Sequence, residues 1–238
     1  MLPGIYNNFQ HWGVQNTVWI YSDPHFSDVD LKGGIKNRPS DEEQIAKINA
    51  KVGRKDTIII LGDIGNIECA RRLRGRKILV MGNHDAGRTN YERKIIRELF
   101  DYEDYTKEQV REKMHIKYPD WDLNIIEGLA GWVATVDNKL FDEVYEGALI
   151  VGEKLILSHE PVDIPWLYNI HGHDHAGAKR KNHLNVCSDV IGYEPVNFNQ
   201  FLKSGALANI QTIHRETIDN ATKRKQKRGG KINGLQKR

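Results

Sequence analysis

Aspartate, histidine and asparagine gather at the places where apolar runs of this chain end. They are Asp23, His25, Asp63, Asn83, His84, Asp85, His159, His173 and His175. Carboxylate, imidazole and amide oxygen suit hard-to-borderline divalent ions such as Mn²⁺, Fe²⁺ or Zn²⁺. The set is too large for one four-coordinate ion. It is large enough for two ions that share a bridging carboxylate. Two ions about 3.5–4 Å apart clamp the oxygens of an in-line displacement at phosphorus and lower the pKa of a shared water. Asn83 would be the neutral ligand, limiting the negative charge that faces a phosphate. Gly62 and Gly82 precede Asp63 and Asn83. They let the backbone approach closely, or turn with φ > 0, beside the site. Neither cysteine, Cys69 or Cys187, falls in the set, which argues against a closed structural zinc site.

These residues need strands to carry them. Thr17–Tyr21 is β-branched and aromatic and ends at Ser22–Asp23–Pro24–His25. Thr57–Leu61 is a buried-type strand ending in Gly62–Asp63, and Lys77–Met81 is another ending in Gly82–Asn83–His84–Asp85. Between them, Ile45, Ile48 and Val52 give Asp41–Val52 a helical spacing behind a Ser40/Glu43 capping box. Asn66–Leu73 reads as a short helix. The pattern is α/β, and sites in open α/β sheets form beyond the carboxyl ends of strands. Residues 90 to 117 read as helical, in two pieces. Val144–Val151 and Lys154–Leu157, joined by Gly152–Glu153, read as a hairpin. Tyr168–Ile170 leads into His171–His175, Leu184–Val186 is a late strand, and Phe198–Leu202 a short helix.

Asp23-x-His25, Gly62–Asp63, Gly82–Asn83–His84–Asp85, His159 and Gly172–His173-x-His175 stand in this order along the chain. Together they resemble the calcineurin-like metallophosphoesterase superfamily, in its small bacterial or phage-type form. The resemblance implies a four-layer α/β/β/α sandwich of two mixed sheets, and a hydrolase of phosphate esters. It implies that Asp23, His25 and His175 hold one ion and Asn83, His159 and His173 the other, with Asp63 bridging. Mn²⁺ is the expected metal, with Fe, Zn or Ni as alternatives. A bridging hydroxide would attack phosphorus. His84 would stabilise or protonate the leaving group, and Asp85 would orient His84. Apart from the resemblance, Arg88, three residues after Asp85, reads as a candidate substrate contact or a solvated arginine. Gly62–Asp63–Ile64–Gly65–Asn66 departs from the Gly-Asp-x-x-Asp-Arg-Gly of the protein-phosphatase members, which argues against a Ser/Thr protein phosphatase. The expected substrate is a nucleotide-type phosphodiester. Nucleotide phosphomonoesterase or pyrophosphatase activity, or nuclease activity, are the alternatives. A non-catalytic binding protein on this frame would show eroded ligands, and each ligand here is of the right type.

With 238 residues the chain is expected to hold one metallophosphoesterase domain over 1–205. A helical insertion at about 88–142 carries Trp121 and Trp132 and reads as a lid, specificity element or dimer contact. Hydrophobic residues at 39% and charged ones at 28% exclude a disordered or membranous chain. Of 35 basic residues eight lie from Thr222 onward with no acid among them, leaving 27 basic against 32 acidic elsewhere. The net charge of +3 therefore belongs to a basic, flexible tail over 206–238, a weak grip for nucleic acid or a solvated end. Two cysteines, and no secretory pattern in Met1–Gln10, lead to the expectation of a cytoplasmic protein, in the host cytoplasm if phage-encoded. No membrane partner is expected. His171 reads as a structural or outer-shell residue, and Asp174, between two candidate ligands, as pointing away from the site. His11, His115, His183 and His214 carry no motif, and His183 is the one nearest the site.

Overall fold

The computed structural model describes residues 16–85, 91, 93–119, 121–212 and 217–225. Strands β1 (Val18–Tyr21), β2 (Thr57–Ile60) and β3 (Arg76–Val80) are rich in β-branched and aliphatic residues and form the parallel centre of a first sheet. β12 (Val196–Asn197) pairs antiparallel with β1 at one edge, and β7 (Glu143–Tyr145) lies beside β3 at the other. The second sheet runs β11 (His183–Asn185), β10 (Tyr168–His171), β9 (Leu155–Leu157), β8 (Leu149–Val151). Its first two pairings are parallel and the β9–β8 hairpin antiparallel, turning at Gly152 with φ 66°.

Alternation along these strands makes the core. Val18, Ile20, Ile59, Leu61, Ile78 and Val80 of the first sheet meet Leu149, Leu155, Leu157 and Ile170 of the second. Each fully buried aliphatic side chain of this kind contributes about 1.5–3 kcal/mol relative to exposure. The opposite face of the first sheet takes helix α2 (Asp41–Lys51), following the short α1 (Val29–Gly34). Ser40 and Glu43 close both halves of the capping box on α2. Ile45 and Ile48 are buried, and buried Gln44 is satisfied by the Tyr21 hydroxyl at 2.9 Å. Helix α3 (Ile67–Arg71) follows β2.

The unit is thus mixed α/β, with two sheets face to face. Loop 159–167 returns to β10, with Val162 N donating to Asn169 Oδ1 at 2.8 Å. Pro161 and Pro165 interrupt this short connection from β9 to β10.

The chain divides into two units, one of Met1–Ala86 with Tyr145–Arg238 and one of Gly87–Val144. The second unit corrects the helical expectation for residues 90–117. β4 (Ile95–Asp101) pairs with β6 (Gly131–Asp137), and β6 with β5 (Asp122–Glu127), all antiparallel; the one named helix there is α4 (Lys107–Lys117). Charges at Arg97 and Glu98 hide the two-residue alternation that turns Ile96 and Phe100 inward. Trp121 and Trp132 pack on that unit's own core of Phe100, Val110, Met114, Ile125, Ala134 and Val136. In the first unit, α5 (Phe198–Lys203) places Phe198 in the main core. Of the expected tail, Ile210 is buried and 217–225 is helical; its later basic residues from Lys227 on lie outside the described residues. No described helix is long and apolar enough to cross a membrane.

Candidate metal centre

The site forms where β1, β2, β3, β9 and β10 end. Backbone pairing continues past β1 and β2 as their turns run side by side. Asp23 N donates to Gly62 O at 3.1 Å, His25 N to Asp63 O at 2.9 Å and Phe26 N to Ile64 O at 3.0 Å. Asp23, His25, Asp63 and His173 all take left-handed backbone, with φ of 56°, 42°, 55° and 63°. Such residues cost about 1–3 kcal/mol each and persist where their surroundings over-determine them. Two glycines allow the close packing. A Cβ on Gly62, whose φ is 88°, would stand 2.5 Å from Gly82 N and 2.8 Å from His159 Nδ1. A Cβ on Gly172 would overlap Ser22 Oγ and Asp23 Oδ2.

Two groups of side chains converge there. In Asp23, His25 and His175, and again in Asp63, His159 and His173, one ligand atom from each residue lies within 4.8 Å of the others. Asp63 joins the groups: its Oδ2 is 3.4 Å from His25 Nε2 and 3.3 Å from His159 Nε2. Asn83 Oδ1 is 2.8 Å from His159 Nε2.

The hydrogen bonds behind these groups fit them for cations. His159 Nδ1 donates to Leu61 O at 2.7 Å. Its Nε2 faces Asp63 Oδ2, Asn83 Oδ1 and His173 Nδ1 at 3.3, 2.8 and 3.1 Å, a convergence of acceptors. His175 Nδ1 donates to Asp189 Oδ2 at 2.6 Å, and His25 Nδ1 lies 3.4 Å from Asp28 Oδ2. Outer acceptors of this kind orient metal-binding imidazoles. Asp23 Oδ1 is buried without a hydrogen-bond partner, 3.9 Å from His25 Nε2 and 3.8 Å from His175 Nε2. An orphaned buried carboxylate oxygen is costly, and a cation among these donors would satisfy it.

The electrostatics agree. Burial alone would lower the pKa of His159, but the hydrogen bond with Asp63 and the charge of Asp23 raise it to about 9. Burial opposes ionisation of Asp63, yet His159, His25 and the His84 amide hold its carboxyl far below the usual range. The hydrogen bond to Asp189 raises His175. Each shift reports a place where negative charge calls for positive charge.

The His84 ring is exposed and stands edge-on to His25, with centroids 5.4 Å apart, while its amide donates to Asp63 Oδ1 at 2.9 Å. Asp85 was expected to orient His84. Its carboxylate accepts the amides of Asp63, Gly82 and Ile64 at 2.7, 3.0 and 3.1 Å, so it ties together the turns that follow β2 and β3. Arg88, His11 and His214 lie outside the described residues. Asp174 accepts the amides of Ala176 and Ala178, closing its own turn. His171 is buried, its Nδ1 donating to Gly172 O at 2.8 Å and its ring 5.3 Å from His183. Sequence reasoning missed Asp189, Arg38 and Ser188. Ser188 Oγ donates to Asp23 O at 2.7 Å. None of the three lies in a motif; only the need of each metal-binding imidazole for an outer acceptor pointed toward a residue such as Asp189.

No family model matches the chain. No curated protein matches it either. Among solved structures it is similar to a protein of unknown function from Aquifex aeolicus, at 19% identity and a TM-score of 0.47, over 79% of this chain and 98% of that one.

Proposed function

We propose that the chain is a metal-dependent phosphoesterase of the calcineurin-like metallophosphoesterase type, acting on a nucleotide-type phosphodiester. The observation that carries this reading is the shared carboxylate. Asp63 Oδ2 lies between His25 Nε2 and His159 Nε2, and each histidine belongs to its own group of three ligands. Asp23, His25 and His175 would hold one divalent ion, and Asn83, His159 and His173 the other, with Asp63 between them. Mn²⁺ is the favoured metal. When bound, such a pair supplies Lewis acidity toward phosphoryl oxygens and lowers the pKa of water.

The protein's own residues do the rest. Leu61 O and Asp189 hold His159 and His175 with Nε2 turned inward. Asp85 ties the β2 and β3 turns together, so Asp63 and Asn83 keep their spacing. The exposed His84 ring is free to meet a leaving oxygen and to give it a proton.

A cavity of about 360 Å³ beside Asn83 and His159 is lined also by Glu146 and Glu160. Two carboxylates there disfavour a second phosphate and favour a leaving group that donates hydrogen bonds. This supports a single phosphodiester over a pyrophosphate or a nucleic-acid strand.

The test is the initial rate on bis(p-nitrophenyl) phosphate and on p-nitrophenyl phosphate, with protein stripped by chelator and reloaded with Mn²⁺. Faster, metal-dependent diester cleavage is expected. Faster monoester cleavage would move the reading to a nucleotide phosphatase. Turnover that survives complete stripping would overturn the metal-dependent reading.

A further inference from the structure

Behind His175 lies a buried polar network that no sequence motif marks. Asp189 Oδ2 accepts from His175 Nδ1 at 2.6 Å and pairs with the Arg38 guanidinium. The Arg38 and Asp189 side chains are 1% and 4% exposed. The Tyr193 hydroxyl donates to the other oxygen of Asp189, and the Arg38 guanidinium lies 5.7 Å from the Tyr193 ring centroid. Arg38 also reaches the opposite way. Its second nitrogen donates to Asp23 O at 3.2 Å and to Pro24 O at 2.7 Å. One guanidinium therefore touches the strained turn that presents Asp23 and, through Asp189, the ring of His175.

Burying an arginine and an aspartate costs desolvation, and such pairs are weak stabilisers against an apolar replacement. Their position suggests a different use. We propose that Arg38, Asp189 and Tyr193 are positioning residues for one ion of the pair: they hold His175 with its proton on Nδ1 and Nε2 toward Asp23, and brace the Asp23 turn. This rests on the two-ion reading above. The network serves one group selectively. In the other group His159 Nδ1 donates to a backbone carbonyl, Leu61 O, at 2.7 Å, and stands 4.0 Å from Asp23 Oδ1, beyond hydrogen-bond reach. Cys187 Sγ also comes within 3.4 Å of His175 Nδ1. His175, Cys187 and Asp189 form a third convergent group. With Asp189 engaged by Arg38 and Tyr193, this group is the outer layer of the first site rather than another one.

The experiment is a Mn²⁺ titration of the full, chelator-stripped chain by calorimetry, with free Mn²⁺ followed by electron paramagnetic resonance. Wild type should bind two ions. Asp189→Asn keeps the size of the side chain and removes its charge. It should leave one ion at wild-type affinity and weaken the other ten- to a hundredfold, the usual loss when an outer-shell partner is removed. Tyr193→Phe, which keeps Asp189 charged, should weaken the same ion by a smaller factor. Metal-free thermal unfolding identifies which variants are folded. Wild-type affinity for both ions in the folded variants overturns the inference. So does equal weakening of both, the mark of a merely structural role. A wild-type chain that takes up no Mn²⁺ defeats the two-ion reading together with the inference; two ions in wild type, with neither weakened by Asp189→Asn, defeats the inference alone.

Discussion

Asp85 accepts the backbone amide of Asp63 at 2.7 Å, although the two residues follow different strands. Its carboxylate closes the gap between the β2 and β3 turns, taking the Gly82 and Ile64 amides as well. Hydrogen bonds to a charged acceptor are worth about 1.5–3 kcal/mol each, and unmet buried amides add their own cost. Asp85→Ala should therefore lower stability by about 3 kcal/mol or more, measured by urea unfolding of the metal-free protein. Asp85→Asn, which keeps part of the acceptor capacity, should lose less. Equal stability of wild type and Asp85→Ala would contradict this account.

On the proposed reading, Asp63 would hold metal and His84 would transfer a proton. Asp63→Asn should remove most turnover and reduce the bound Mn²⁺, because the shared carboxylate is lost. His84→Ala should keep its Mn²⁺ and lower kcat by about 10²–10⁴-fold, the usual contribution of a positioned acid or base. Metal analysis beside initial rates distinguishes the two. Full activity in both variants would overturn the site assignment.

At Gly172 the constraint is space. Alanine there would drive a methyl group into Ser22 Oγ and Asp23 Oδ2. The Asp23 turn would have to shift, and overpacking of this kind costs about 1–3 kcal/mol. Gly172→Ala should lower the thermal midpoint and weaken Mn²⁺ binding together. The same change at Gly147, where an added Cβ meets nothing within 4 Å, should do neither.

Asp41 gives the chain an acid limit. Its carboxylate braces the left-handed Ser27 beside His25, accepting the Ser27 amide at 3.0 Å and the Lys32 ammonium at 3.0 Å. Burial opposes its ionisation, but these donors outweigh burial and lower its pKa below the usual 3.8. A depressed carboxylate stabilises above the unfolded value and loses that contribution as pH falls through the folded one. Stability should thus drop below about pH 4 in wild type, and less steeply in Asp41→Asn, as followed by urea unfolding across pH 5 to 3.

Much of this was legible in the chain itself. Apolar runs stopping at Asp23, Asp63 and Asn83 marked β1, β2 and β3, because parallel strands buried on both faces need continuous aliphatic sequence. The capping box at Ser40 marked α2 through local hydrogen bonds alone. The two-sided convergence on Asp63 was legible as a motif order, but its outer layer was not. Arg38 and Asp189 are 151 positions apart, and their pairing depends on tertiary closure that no local spacing encodes. β4 failed for another reason. Its exposed face carries Arg97, and Glu98 on the other pairs with Lys117 at 2.7 Å, so charge obscured a period of two.

The chain leaves the first sheet after β3 and rejoins it in β7, where the Tyr145 carbonyl accepts the Met81 amide at 2.8 Å. Departure and return are thus neighbours on adjacent strands, and the loop-closure entropy of the excursion is met inside the sheet. Gly87–Val144 brings its own sheet, helix and apolar core. A change of length within residues 87–142 need not re-register β7 beside β3. The turns that present Asp23, Asp63 and Asn83 and the inserted unit can therefore vary independently, because each unit has a core of its own.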